Sequence, residues 1–582
     1  MPKPSLDSAV RAEPFVWTVF ALLLLAAVAF VARFGSNVPI WDDWDLVPFL
    51  TGEQPVTASW LWSQHNEHRV PLPRLVHLVL NELFGFDLRI AMFLDVAAIG
   101  LLASAMIVTV RRLRGRASLT DAFFPLVLLH PGHAVNFLWS WQLQFFASTV
   151  LSGAVLLRIA RCRAGLSVAS AAIGVGVLSV LLPLCGANGL SLVLPLTVWL
   201  VVVPRLGSAP SRRARVALVF LAVSSALIAG MYFLHYERVP HHHSTHDVCE
   251  ILGSSLQFLS IGLGPGAGSL WPWSGVVTVA MLLACVVLVG LAWRGRPQER
   301  ERILGMFLFL VSVGSLALGV GLGRDGLEPR YVTLAAPAWC AIYLVVSVYG
   351  PGRIGFLLRL LLVLCAASLF FVNARSGIAY ASTLKAKLES FERDMAAGHP
   401  PYVLIHRHGK SLHPHHHVPT DYLPMLKRAG VGKFALLSEN PSFREISVPL
   451  EPMASGQVVF ENGIARCSGK HSFAVFSLPE DTHAAGVRLT YSHSDSKHCL
   501  PYVSMYWKSS AESGFTYERF SKFSPTGDRA VWERGTLLRN LDPETTFGAW
   551  TCAPIREIRI HPDFKPCTFQ FLRLVLLVPN EE

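Results

Sequence analysis

Along the first two thirds of the chain, apolar residues do not alternate with polar ones. They run uninterrupted over lengths that cross a bilayer. Such runs cover 15–33, 88–110, 120–130 with its flanks, 142–158, 166–184, 189–204, 215–234, 275–293, 303–322, 331–349 and 354–372. The pattern predicts about eleven transmembrane helices, each closing its backbone hydrogen bonds internally because lipid offers no partners. The run at 120–130 is short and leads into His130-Pro131-Gly132-His133, which predicts a tilted, broken or re-entrant segment.

Beyond residue 373 the pattern changes. Leu384, Leu388 and Phe391 recur at helical spacing and predict a stalk over 374–400. Residues 401–419, rich in His and Pro, predict a linker. Thr420 to Ala429 predicts a short helix with Thr420 as its cap and Gly430 as its stop. From about 446 the period becomes that of strands: Val487, Leu489 and Tyr491 alternate with polar residues, as do Val503, Met505 and Trp507, and Phe569 and Phe571. Clusters of Gly, Pro, Asp and Ser separate these runs, predicting a jelly-roll-like β-sandwich. The expected fold class is therefore a mainly α polytopic membrane protein with a C-terminal extracytoplasmic β-sandwich. Its expected parts are a multi-span membrane domain with outer loops over 1–373, a stalk and linker with short helices over 374–445, and the sandwich over 446–582.

Composition agrees. Hydrophobic residues make up 52% of the chain and charged ones 15%, too few charges for a soluble protein of this length. The net charge of +11 comes mostly from arginines in alternate short loops: Arg111, Arg112, Arg114 and Arg116; Arg158, Arg161 and Arg163; Arg205, Arg212, Arg213 and Arg215; Arg294, Arg296, Arg300 and Arg302; then Arg353. The positive-inside rule places these clusters and the N-terminus in the cytoplasm, and the chain beyond about 373 outside. Arginines divided among spans do not form a nucleic-acid patch, so no nucleic-acid partner is expected. No small-residue cleavage site follows the first apolar run, so it is not read as a signal peptide. Cys467, Cys499, Cys552 and Cys567 lie in the outer domain and permit two disulfides, with the pairing open. The absence of a CxxC pair rules out a zinc ribbon.

The candidate chemistry lies on the outer side. Trp41-Asp42-Asp43-Trp44-Asp45 sets three carboxylates just past the first span, where desolvated acids are costly and a functional role is the default; a solvated acidic loop is the alternative. The same loop carries His65-Asn66-Glu67-His68-Arg69, a carboxylate, two imidazoles and a guanidinium suited to a phosphate, a sugar or the orientation of a catalytic acid. His65 and His68, three apart, suit one face of a helix, but no third ligand follows at telling spacing and no metal site is assigned. Other outer loops offer His133, Asn136, Trp139, Trp141 and Gln142, then Asn188, then Gly323-Arg324-Asp325-Gly326-Leu327-Glu328-Pro329-Arg330-Tyr331. Arg330 stands at the outer start of a late span, suited to a lipid-linked phosphate or simply to snorkelling. The histidine runs at 241–246 and 413–417 have the composition of metal tracts, which alone assigns nothing. In the outer domain, Trp507, Tyr517, Trp532 and Trp550 are of the kind that stacks on sugar rings, with filling the core as the alternative.

Asp42-Asp43 after the first span and Arg330-Tyr331 at a late one resemble the C-type glycosyltransferase superfamily of membrane enzymes. His65-Asn66-Glu67-His68-Arg69 and Asp421-Tyr422-Leu423-Pro424-Met425-Leu426-Lys427 are similar to segments in poorly characterised bacterial membrane proteins of this layout. The resemblance covers about 1–375. It implies a bacterial cytoplasmic (inner) membrane enzyme that moves a sugar from a polyprenyl-phosphate-linked donor to a cell-surface glycan or lipid acceptor, on the outer face of the bilayer. It implies Asp42 as general base with Asp43 assisting. Asp45, His65, Glu67, His68, Arg69, Arg330 and Tyr331 are then substrate-binding, and a divalent cation is the one cofactor left open. The competing classes are a polysaccharide polymerase or ligase, which would use arginine-rich outer loops, and a transporter or flippase of lipid-linked glycans, which would use internal repeats and mid-membrane charges. A non-catalytic anchor would need neither the many spans nor the acidic loop.

Overall fold

The computed structural model describes residues 6–163, 166–206, 211–237, 247–413, 417–461, 464–468, 471–493, 503–516, 518–523, 545–562 and 567–580. Two compact units emerge: Met1–Asn37 with Gln64–Lys385, and Val38–Ser63 with Ala386–Glu582. The histidine runs at 241–246 and 414–416, with Cys499, Tyr517 and Trp532, lie outside the described residues.

Among the described residues ten helices are long and apolar enough to cross a membrane: Ala12–Phe34, Arg89–Arg114, Ser140–Arg161, Val168–Cys185, Ala187–Leu206, Arg212–Tyr232, Trp273–Gly295, Pro297–Gly321, Tyr331–Tyr349 and Gly352–Ala396. Large apolar side chains on them face outward, among them Leu194 at 73% exposure and Phe371 at 78%. Water would penalise such a surface, whereas lipid does not. Tyr331–Tyr349 is the inner helix, buried along nearly its whole length. Val248–Ile261 is a further apolar helix, shorter than a span and not expected from the sequence.

One of the eleven expected crossings is not a span-length helix. The segment at 120–130 breaks into the 3-10 turn Leu119–Ala122, the short helix Phe123–Leu128, a turn at Pro131–His133 and the helix Ala134–Phe137. Thr120 and Asp121 bond the hydroxyl of Tyr343, at 2.8 Å each, while His133 and Asn136 bond Thr333. The segment therefore runs alongside Tyr331–Tyr349 over ten of its residues, about 15 Å at helical rise. Irregular backbone is tolerated at that depth because protein, not lipid, surrounds it: Thr120, Asp121, Phe123, Phe124, His133 and Asn136 are all buried.

In the second unit the expected linker at 401–419 is mostly helix. Pro401–Leu412 forms one, since Leu404, Ile405 and Leu412 bury on one side, and His417–Arg428 follows. Thr420 is thus not the cap; it lies inside the helix and its Oγ1 accepts the Trp550 indole N–H at 3.0 Å. Gly430, at φ +65°, ends the helix as expected. The stalk is continuous with the last span, as the 45-residue helix Gly352–Ala396.

The strands pair antiparallel in the order Val458–Glu461, Ile464–Cys467, Cys567–Pro579, Phe473–His493, Thr545–His561, Val503–Lys508, Phe520–Phe523, with Phe443–Ser447 and Ala454–Gly456 off this path. Among the described residues this is one nine-stranded sheet, not two separate ones. Register breaks at Trp550/Ala553 and Ile555/Glu557 interrupt the pairing of its two longest strands, and bulges of this kind bend a sheet. Residues from across the sheet, Phe476, Leu489, Met505, Trp507, Ile558 and Leu574, share one core. Trp507 belongs to that core and is not a sugar platform.

Candidate active site

The acid loop, Val38–Ser63, belongs to the same unit as the C-terminal region. Trp41–Leu46 is a 3-10 turn entered from an extended Ile40. The Ile40 N–H donates to the Asp43 carboxylate at 3.2 Å, and the Asp43 N–H returns to the Ile40 carbonyl at 3.0 Å. Asp43 is therefore spent on building its own turn, and it is fully buried. Asp45 is buried as well, while Asp42 is half-buried. The turn begins with Trp41 at φ +50°, a conformation that a bulky side chain adopts only under constraint. The constraint is visible. Buried Trp44 donates its indole N–H to the Leu412 carbonyl at 3.3 Å, Phe49 stacks on Trp60 at 4.0 Å, and Glu53 pairs with Arg428 at 2.7 Å. Helices from beyond residue 400 thus fix a loop from residue 41.

The second set lies in the helical unit. Gln64–His65 and His68–Arg69 are the strands of a small hairpin, with His65 opposite His68 and Asn66 at φ +48° in its turn. The two imidazoles sit across a hairpin and not along a helical face. Arg69 is a brace: its guanidinium donates to the Tyr232 carbonyl at 2.9 Å and the Leu234 carbonyl at 2.7 Å. Its N–H bonds the Tyr232 hydroxyl, which in turn donates to the Glu67 carbonyl. Glu67 pairs with Arg324 at 2.7 Å. The His65 ring lies 4.7 Å from Trp141.

His68 accepts the Ala187 N–H at Nδ1, 3.2 Å away, so its own proton sits on Nε2. Burial pushes its pKa down to about 4, against an opposing pull from Glu67, so the ring is neutral near pH 7. The approach depends on Gly186, whose φ is +125° and where a Cβ would meet His68 Nδ1 at 3.3 Å and Gln144 Oε1 at 3.6 Å. Arg324 and Arg330 both act electrostatically on His68, which ties the hairpin to the 323–331 loop as one charged cluster.

Arg330 precedes the Tyr331–Tyr349 helix. Asn136 holds its carbonyl at 2.7 Å and the Thr333 hydroxyl at 2.6 Å, and His133 bonds the same hydroxyl at 2.9 Å. The Arg330 guanidinium lies 5.6 Å from the Tyr331 ring and 3.9 Å from Glu328. Its Nε is buried without a hydrogen-bond partner among the described residues, as is Oε1 of Gln144. Arg324 belongs to this cluster although the sequence did not mark it as substrate-binding; its signal is a second cation six residues before Arg330, in a loop region otherwise poor in them. Among the described residues no group of three or more His, Cys, Asp or Glu side chains is gathered to hold a metal ion.

No family model matches the chain, and no curated protein matches it. Two solved structures are similar at a distance. The crystal structure of ArnT from Cupriavidus metallidurans bound to undecaprenyl phosphate shares 15% identity over 72% of this chain and 76% of its own, with a TM-score of 0.39. The cryo-EM structure of arabinosyltransferase EmbB from Mycobacterium smegmatis shares 10% identity over 97% of this chain and 64% of its own, with a TM-score of 0.25. Likeness of this extent assigns neither a fold nor an activity to the chain.

Proposed function

We propose that the protein is a membrane glycosyltransferase of the C type, which moves a sugar from a polyprenyl-phosphate carrier to an acceptor hydroxyl of a cell-envelope glycan or lipid at the outer face of the membrane. The observation that carries this reading is the anchored acidic turn: Asp43 is consumed in building it, while Asp42 remains half-exposed beside it. On this reading Asp42 takes a proton from an acceptor hydroxyl. The acceptor oxygen then bonds the anomeric carbon, and the bond from that carbon to the carrier's phosphate oxygen breaks. The departing phosphate carries the charge, which a guanidinium fork stabilises. Arg330 is assigned that role because its buried Nε has no hydrogen-bond partner among the described residues, Glu328 approaching it only to 3.9 Å. Arg324 has Glu67 as its ion-pair partner, and Arg69 serves the hairpin. The proton on Asp42 passes to water before the next turnover.

The phosphate assignment is tested by thermal unfolding of the purified protein with undecaprenyl phosphate. The wild type is expected to melt higher with the lipid present. Arg330→Ala is expected to lose most of that rise and Arg330→Lys to recover part of it, because an ammonium lacks the planar fork. A rise of equal size in Arg330→Ala contradicts the assignment.

A further inference from the structure

The opposite end of the inner helix carries a second cluster of cations, unrelated to the acid loop or the hairpin. Among the described residues Asp121 is the carboxylate in it. It accepts from the Arg114 guanidinium, from the Ser118 N–H at 3.1 Å and from the Tyr343 hydroxyl at 2.8 Å. The Arg114 side chain is 8% exposed, and its Nε and second terminal nitrogen are buried without hydrogen-bond partners among the described residues. Arg359, two turns into Gly352–Ala396, is 8% exposed as well, and its buried Nε has no partner. Arg114, Arg116, Asp121 and Tyr343 all lie within electrostatic reach of Arg359. Asp121 is thus the carboxylate that faces both Arg114 and Arg359 among the described residues, with Arg116 also within reach of Arg359, and it already accepts three hydrogen bonds.

Buried charged N–H groups without acceptors are costly, and the cost is removed by an anion with several oxygens. Planar guanidinium forks match phosphate oxygens. The depth is right for a lipid headgroup: Arg114 is the last residue of its span, and Arg359 lies seven residues into its own, about 10 Å along the axis. The same end of Tyr331–Tyr349 is met by Arg296 and Arg302, at the Val348 carbonyl and the Tyr349 hydroxyl, so it is the arginine-rich end of the bundle. Basic pockets between spans at such an end take anionic headgroups. We propose that Arg114, Arg116 and Arg359 form a binding site for the phosphate of an anionic phospholipid.

The test uses the full chain in nanodiscs of phosphatidylcholine alone or with phosphatidylglycerol, reading the melting midpoint and, by native mass spectrometry, the phosphatidylglycerol that remains bound. Phosphatidylglycerol is expected to raise the wild-type midpoint and to stay bound through release. Arg359→Gln should lower the retained lipid at least several-fold and remove the rise, and so should Arg116→Gln, whose exposed side chain makes misfolding no explanation. Arg330→Ala should keep both effects. Equal retention in wild type and both variants overturns the site. An equal rise from inorganic phosphate in phosphatidylcholine discs overturns the lipid as the source of the phosphate.

Discussion

At the scale of single residues, neighbouring side chains of one type do different work. Asp42 and Asp43 read as an acidic pair in the sequence, yet Asp43 is a buried turn-builder and Asp42 is the accessible acid. Arg69 and Arg324 flank the same Glu67, yet the first braces Tyr232 and Leu234 while the second pairs with the carboxylate. His68 gives a pH signature. Its folded pKa of about 4 lies below the unfolded value of about 6.5, so the unfolded chain binds more protons between these values. The stability that neutral His68 contributes is complete above pH 6.5 and is lost as pH falls toward 4. The wild-type melting midpoint should therefore drop across this window. His68→Gln keeps an acceptor for the Ala187 N–H and should flatten that part of the drop, by up to roughly 3 kcal/mol. A pH profile of unchanged steepness in His68→Gln contradicts the assignment.

At the scale of elements, what the sequence made legible was whatever one period decides. Ten of the expected crossings, the helical stalk, the stop at Gly430 and the alternating strands all follow from local patterns. The crossing near 120–130 was flagged by its length and by His130-Pro131-Gly132-His133, but the reason it holds as irregular backbone is a partner 200 residues away, Tyr331–Tyr349. The helix Pro401–Leu412 was hidden by a composition rich in His and Pro; its buried side is evident only against the strand Thr545–His561, where the His406 ring bonds the Trp550 carbonyl at 3.1 Å. Pairing of cysteines was equally beyond reach from spacing, because it depends on strand register. That register sets Cys467 opposite Cys567.

At the scale of the whole molecule, the division into units changes how the chain is read. The sequence suggests that the first outer loop belongs to the helices on either side of it. The structure groups Val38–Ser63 with the C-terminal region, through Trp44 with Leu412 and Glu53 with Arg428. The C-terminal unit is then part of what shapes the acidic turn. A chain ending near residue 385 keeps Asp42 yet should lose transfer activity altogether, while still melting cooperatively through its helices. Full activity from such a truncation would show that the turn forms unaided. Charge in the loops predicts that the arginine-rich end faces the cytoplasm and the acidic turn the outside; a reporter fused at Glu582 that works only in the cytoplasm would contradict this.

The most direct test is sugar transfer by the full chain in proteoliposomes, supplied with a panel of undecaprenyl-phosphate-linked pentoses and hexoses and a cell-envelope glycan extract. The wild type should transfer from at least one donor. Asp42→Asn should lower that rate by about 10²–10⁴-fold, the usual contribution of a general base, with an unchanged melting midpoint. Near-normal turnover by Asp42→Asn would contradict the account at its centre.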